Sequence, residues 1–242
     1  MIKKMKVFHT DFEASKHCRD MIENIIKEKE DALICLAAGH TSLPLFEMLI
    51  EGDKDGSIDF SKVKIVGLDE WVGLSGRDDG SCERFLRKNL FDHINILEEN
   101  IRLFDGEAQN LLKECAEIEA FINENGDIDY MLLGVGMNGH LGLNEPGVDK
   151  DSTAGVVMLD SVTKRVADKY FQEKPELMAG VTLGMKDIKK AKIVEVLVTG
   201  QRKKDIVKRI VDLDETNQVP ATIIKSLENV IFIFDDAAAG LV

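Results

Sequence analysis

A doubly wound, mostly parallel α/β sheet with helices on both faces is the fold class this sequence predicts, and two observations carry it. Short, almost wholly apolar runs such as Ala32 to Ala37, Ile128 to Leu133 and Lys192 to Val198 have the composition of strands buried on both faces. Between them lie segments with the apolar spacing of amphipathic helices, so strand and helix alternate along the chain. No fixed-period repeat or low-complexity linker interrupts the sequence, and residues 1–242 are read as a single domain long enough to bury a sizeable core.

In chain order, Met5 to His9 predicts an opening strand and Phe12 to Lys27 a helix with Met21, Ile22, Ile25 and Ile26 on one side. Ala32 to Ala37 is a buried strand ending in Ala38-Gly39-His40-Thr41-Ser42, and a helix runs from about Leu43 to Ile50 with Pro44 in its first turn. A strand, a small-residue loop with Thr and Ser, and a helix N-terminus can aim N–H groups and hydroxyls at an anion. A plain Ser/Thr cap fits equally, and the phosphate-loop and dinucleotide fingerprints are absent. Lys64 to Leu68 is the next strand, with Asp69-Glu70-Trp71 at its end, where open α/β sheets place ligand groups; a turn capped by Asp69 is the plainer alternative. The loop Gly73 to Gly80 has the composition of a mobile segment. Ser81 or Cys82 then opens a helix to about His93, whose imidazole suits the helix C-terminus.

Ile101 to Phe104 predicts a weak strand and Asn110 to Asn123 a helix with a solvated face. After the strand Ile128 to Leu133, glycines recur at Gly134, Gly136, Gly139, Gly142 and Gly147, and between them sit His140, Glu145, Asn138 and Asn144. Titratable groups on a glycine-rich loop after a buried strand mark a candidate site, although a tight turn with a surface histidine would read the same. Gly155 to Leu159 follows as a strand and Ser161 to Phe171 as a polar helix, with Arg165, Lys169 and Tyr170 near the region of interest. Ala179 to Met185 is apolar with two glycines and is placed near the site. The strand Lys192 to Val198 runs into Thr199-Gly200-Gln201-Arg202-Lys203-Lys204 and a helix to Ile210. Those lysines are either surface charge or counter-charge for a phosphate. A short helix Pro220 to Leu227 and a last strand Val230 to Phe234 complete the pattern. The ends of four strands thus converge on residues 38–42, 69–71, 134–147 and 199–203, in a Rossmann-like arrangement.

Composition narrows the partners. The apolar fraction of 44% is ordinary for a globular chain, and no apolar run approaches the ~18 residues of a membrane span. Met-Ile-Lys-Lys-Met-Lys lacks a following signal-peptide core, and the scattered Cys18, Cys35, Cys82 and Cys115 form no C-x-x-C pair. They are read as reduced thiols of a cytoplasmic protein, with Cys35 in the core. A net charge of −13 argues against nucleic acid and anionic membranes, so a phosphorylated ligand needs a locally basic or N–H-rich site.

Asp69-Glu70-Trp71-Val72-Gly73-Leu74 and the run Gly134 to Gly147, with Asn-Gly-His and Asn-Glu-Pro-Gly, resemble the glucosamine-6-phosphate deaminase/isomerase family over nearly the whole chain. Within it, Trp71 and Gly-His-Leu-Gly-Leu-Asn-Glu-Pro-Gly look most like the galactosamine-6-phosphate isomerase branch. The resemblance implies isomerisation and deamination of a 2-amino-2-deoxyhexose 6-phosphate, glucosamine or galactosamine, to a ketohexose 6-phosphate plus ammonia. It implies Asp69 as the C2–C1 base, His140 as the ring-opening acid/base, suited because an imidazole titrates near ~6.5, and Glu145 as its orienting partner. Phosphate falls to Gly39, His40, Thr41 and Ser42 with Lys203, and Gly134 borders the substrate. No metal or redox cofactor is required, and the oligomeric state is left as monomer or homo-oligomer.

Three departures stand out. Asn138 replaces an aspartate found in many members and can only hydrogen-bond. Tyr170 stands where the family has a substrate-gripping arginine. Gly155 and Val157 stand where longer members place basic residues of an allosteric phosphate site. The rivals are a 6-phosphogluconolactonase-like hydrolase, for which arginine rather than Trp71 would follow the acid pair, and a non-catalytic sugar-phosphate sensor.

Overall fold

A computed structural model describes residues 1–167, 171 and 176–241. Its centre is a seven-stranded sheet, every neighbouring pair parallel, in the order β1-β10-β9-β6-β2-β3-β5. The strands are β1 (Met5–Phe8), β2 (Leu33–Leu36), β3 (Lys64–Gly67), β5 (Ile101–Arg102), β6 (Tyr130–Leu133), β9 (Ile193–Val198) and β10 (Val230–Asp235). Side chains alternate across this sheet and build two cores. Leu33, Cys35, Met131, Leu133, Val194, Val196, Phe232 and Phe234 face one core, completed by helices α4 (Leu111–Glu124), α6 (Met185–Lys190) and α7 (Lys204–Asp212). Ile34, Leu36, Tyr130, Leu132, Leu197 and Ile233 face the other, under α1 (Asp11–Glu28), α2 (Leu43–Asp55) and α3 (Cys82–Asn89). Both faces are therefore covered, as all-parallel sheets require.

The helices begin where local chemistry satisfies their unpaired N–H groups. Thr10 and Glu13 form a reciprocal capping box at α1, Asn110 caps α4 and Ser81 caps α3. Gly56, at φ 76°, ends α2, which runs a turn past the expected Ile50. His93 lies in a 3₁₀ turn after α3 and its Nε2 meets the Lys88 carbonyl at 2.9 Å. One polar side chain interrupts the apolar pattern. Glu195 of β9 is fully buried on the α1 side, accepts the Tyr130 hydroxyl at 2.7 Å and lies 3.1 Å from His17 Nε2.

The structure departs from expectation at the acid pair, at the run Ala179 to Met185 and at Pro220 to Leu227. The acid pair does not sit in a turn: Asp69–Trp71 is a strand, β4, in a second, antiparallel sheet of order β4-β8-β7 with β8 (Ala179–Thr182) and β7 (Gly155–Met158). Thr182 thereby stands opposite both Asp69 and Gly155, so the small sheet ties the acid pair to the later segments. The run Ala179 to Met185 divides, its last residue opening α6. Helix α5 is described as Ser161–Ala167, and the expected residues Lys169 and Tyr170 lie outside the described residues. Pro220 to Leu227 is a 3₁₀ turn (Pro220–Thr222) followed by further turns. The loop Gly73 to Gly80 is held internally, with Ser75 N–H on Asp78 at 2.9 Å and Gly76 N–H on Glu83 at 3.1 Å. Among the described residues no helix is long and apolar enough to cross a membrane.

Candidate active site

Strand β2 continues through its helix toward β3 and β5, whereas the chain beyond β6 turns to the other side of the sheet, toward β9 and β10. Neighbouring strands whose connections diverge leave a crevice at their carboxyl ends. A cavity of about 180 Å³ opens there. It is lined by Gly39, His40, Thr41 and Ser42 after β2, Asp69 and Trp71 of β4, Cys82 of α3, Gly134, Gly136 and His140 after β6, and Lys203 after β9. All four strand ends singled out in the sequence therefore meet at one place. Glu145 and Asn138 stand behind His140 rather than in the wall.

The loop after β6 is shaped to present one imidazole. Gly139 adopts φ 92°, which favours glycine, and its carbonyl accepts the Ala221 N–H at 2.9 Å. A Cβ on Gly136 would come within 2.3 Å of His140 Nε2, so the ring lies directly on that backbone. Gly136→Ala must push the imidazole aside. With displacements of about 1 Å able to cost ~10²-fold, turnover should fall by that order while the fold survives, checked by kcat beside circular dichroism.

Behind the ring, His140 Nδ1 faces Glu145 Oε2 at 3.3 Å and Thr163 Oγ1 at 3.0 Å. Asn138 Nδ2 donates to the same Glu145 oxygen at 2.8 Å, and its Oδ1 accepts the His140 N–H at 3.2 Å. Burial raises the Glu145 carboxyl, but the hydrogen bond and charge of His140, with Thr163 and Asn138, hold it below its ordinary range. A carboxylate that stays ionised behind Nδ1 fixes a proton on that nitrogen and leaves Nε2 for the cavity. Thr163 was not singled out in the sequence. It reaches His140 from α5, a contact that only the packing of that helix reveals.

Asp69 keeps some exposure to the cavity yet is enclosed by protein, and burial raises its carboxyl to about 6 against the lowering pull of the Cys82 thiol and His140. Its neighbour Glu70 is buried and turned to the start of α3. Glu70 Oε1 accepts the N–H of Trp71 at 2.8 Å and of Cys82 at 2.9 Å, and Oε2 accepts that of Glu83 at 2.9 Å. Burial pushes this carboxyl up to about 7 despite those three donors. Trp71 fills a small apolar cluster with Leu143, Leu159, Ala167 and Leu177, and its indole N–H donates to Gly80 O at 3.2 Å.

At the anion end, the 3₁₀ turn His40–Ser42 precedes α2. Ser42 contributes less than its type suggests. Its hydroxyl donates to Ala37 O at 3.0 Å and its N–H to Gly39 O at 2.9 Å, so both donors are engaged within the protein. Gly39, His40 and Thr41 remain at the cavity surface, and His40 packs its ring against Phe85. Lys203 donates to the Val135 carbonyl, which holds its ammonium over the loop after β6. Arg165 is exposed and does not line the cavity.

A family model for glucosamine-6-phosphate isomerases/6-phosphogluconolactonase matches residues 11–232. The chain belongs to this family. Glucosamine-6-phosphate deaminase of Thermoanaerobacter sp. (strain X514) is 37% identical over 231 residues, spanning 95% of this chain and 91% of the relative. That of Clostridium perfringens (strain SM101 / Type A) is 37% identical over 224 residues, 92% of each chain. The solved structure of a monomeric glucosamine-6-phosphate deaminase superposes with TM-score 0.94 at 30% identity, covering 99% of this chain and 100% of the other. A 6-phosphogluconolactonase from Thermotoga maritima shares the fold at TM-score 0.75 and 20% identity, covering 96% and 99%. The three deaminase relatives support the deaminase side of the family over the lactonase rival, and each is named for glucosamine rather than galactosamine.

Proposed function

We propose that residues 1–242 act as one hexosamine-6-phosphate isomerase/deaminase unit, converting glucosamine 6-phosphate and water to fructose 6-phosphate and ammonia. The observation that carries this reading is a cavity lined by an enclosed carboxylate, Asp69, and by the imidazole of His140, which Glu145 backs from behind the wall. His140 moves a proton from the O1 hydroxyl to the ring oxygen and opens the sugar. Asp69 then takes the C2 proton while O1 takes up a proton released by the substrate ammonium, giving an enolamine, and Asp69 returns its proton to C1; water adds to the resulting C2 imine and ammonia leaves. Glu145, Thr163 and Asn138 hold the imidazole through these steps. The phosphate rests on Gly39, His40 and Thr41 with Lys203 as counter-charge, and fixes the reacting carbons against Asp69. The deaminase names of the relatives support the substrate, and the monomeric relative supports action as a single chain. A cytoplasmic setting matches four free cysteines, three of them buried.

Ammonia release from glucosamine 6-phosphate and galactosamine 6-phosphate, measured side by side, tests this reading. Faster release from the glucosamine sugar is expected. Release from galactosamine alone would correct the epimer, and a folded protein inert toward both would overturn the proposal. N-acetylglucosamine 6-phosphate should not activate. Gly155 and Val157 on β7 offer no charge to a second phosphate, so the rate with that sugar added should stay well short of the ~tenfold rise expected of an allosteric effector.

A further inference from the structure

We propose that Thr182 is a positioning residue for this reaction, its buried hydroxyl fixing the turn between His140 and Glu145 against the strand that carries Asp69. The inference rests on the reading of Asp69 and His140 as partners in one reaction.

Asp69 and His140 reach the cavity from distant parts of the chain, β4 and the loop after β6, so their spacing has to be set by contacts between those parts. Strand β8 touches both. In the small sheet Thr182 stands opposite Asp69, and the Leu183 N–H donates to the Leu68 carbonyl at 2.9 Å. That pairing ties β8 to the residue just before the base. The same strand end holds residues 141–144. Thr182 Oγ1 accepts the Leu143 N–H at 3.1 Å, and its own proton faces the carbonyls of Leu68 at 3.3 Å and Leu183 at 3.2 Å. A hydroxyl can accept and donate at once, and its proton can be shared between two carbonyls. One group therefore joins the loop of the imidazole to the strand of the carboxylate.

The turn is built to sit on that hydroxyl. Gly142 adopts φ 57°, and a Cβ there would come within 2.7 Å of Thr182 Oγ1, so the backbone approaches as closely as glycine permits. Asn144 secures the same turn, its Nδ2 donating to Leu141 O and to Leu183 O, both at 2.9 Å. Thr182 is 1% exposed and lies behind a stretch of cavity wall formed by Leu68, Gly142 and Leu143. It acts through the groups it spaces and does not touch substrate. The rest of β8 is Ala179, Gly180 and Val181, and valine would fill the space of Thr182 equally well. It would leave the buried Leu143 N–H without its acceptor, and the turn would have to move to find another.

The test uses Thr182→Val and Thr182→Ser in the full chain, with kcat and KM for ammonia release measured well below each Tm. Two further readouts need no turnover: hydrogen exchange at the Leu143 amide, and the His140 ring-proton resonance, assigned by its loss in His140→Gln. Thr182→Val should lower kcat roughly tenfold with KM within about twofold, because the anion-binding loop is untouched. It should also move the His140 resonance and speed exchange at Leu143 by about tenfold or more. Thr182→Ser restores the hydroxyl and should return all three toward wild type. A merely structural role would lower Tm and leave the kcat of the folded protein and the His140 resonance where they were. That result, or a Thr182→Ser no better than Thr182→Val, would overturn the proposal. An unprotected Leu143 amide in the wild-type protein would overturn it whether or not the valine variant folds. A moved resonance and faster exchange in a protein that releases no ammonia uphold the clamp and sink the activity. Ammonia release with kcat and resonance unchanged in Thr182→Val does the reverse.

Discussion

Asp69→Asn is expected to lower kcat by about 10²–10⁴-fold with little change in KM, because an amide of the same shape cannot accept the C2 proton. The wild-type pH dependence should carry the same signature. Burial raises the Asp69 carboxyl to about 6, and the base works only when ionised. As pH falls through about 6 the residue gains a proton and kcat falls with it, about tenfold per pH unit well below the midpoint; as pH rises above 6 the rate levels off. An ordinary surface carboxylate would place that limb near ~3.9, so its position reports the enclosure of Asp69 directly. Measuring ammonia release against pH in both proteins checks the two claims together. Full activity in Asp69→Asn would remove Asp69 from the reaction, and an acid limb near pH 4 would remove the burial argument while leaving Asp69 as the base.

The parts of this fold legible in the sequence are those with a local cause. Ala32 to Ala37 and Lys192 to Val198 read as buried strands because parallel strands covered on both faces are apolar at nearly every position. The strand β4 carries no such mark. Asp69-Glu70-Trp71 pairs with Thr182, Val181 and Gly180, residues distant in sequence, and neither period-2 alternation nor a turn signal announces it. Pro220 to Leu227 departs from a helix for the complementary reason: Pro220 at a first turn and an apolar run also suit a 3₁₀ turn that packs into the core.

The site divides along the same line. Asp69, His140, Glu145, Lys203 and the Gly39-His40-Thr41 loop stood out because unusual residue types sat at strand ends, and the structure gathers them around one cavity. Thr163, Thr182 and Glu70 did not stand out for these roles. An ordinary threonine on a helix or a strand has no sequence signature for the imidazole or backbone turn it will face. Ser42 is the converse case: its type suggests an anion contact and it lines the cavity, but its hydroxyl and N–H are engaged by Ala37 and Gly39.

Glu70→Ala should give the largest loss of stability of any single change near the site. Glu70 is 1% exposed and is the acceptor for the N–H groups of Trp71, Cys82 and Glu83. Two of those belong to the first turn of α3, where a helix has no internal partners for its N–H groups, so a strand residue caps the helix from outside. Alanine leaves three donors without an acceptor. At about 1–3 kcal/mol for each buried unsatisfied group, partly relieved by entering water, the loss should reach roughly 3–5 kcal/mol. In a chain of this length that lowers Tm by the order of 10 °C. Glu70→Gln should fall between, because its one amide oxygen can serve two of the donors while its NH₂ opposes the third. Urea denaturation of the three proteins, with the midpoint changing and the slope constant, measures this. The same variants probe function through geometry. Once Glu70 no longer holds the Cys82 N–H, the start of α3 moves away from β4, and kcat should drop in Glu70→Ala even at temperatures where the protein remains folded. A Glu70→Ala variant within about 1 kcal/mol of wild type would show that water or a shifted backbone replaces the carboxylate, and that β4 and α3 are held together by apolar packing instead.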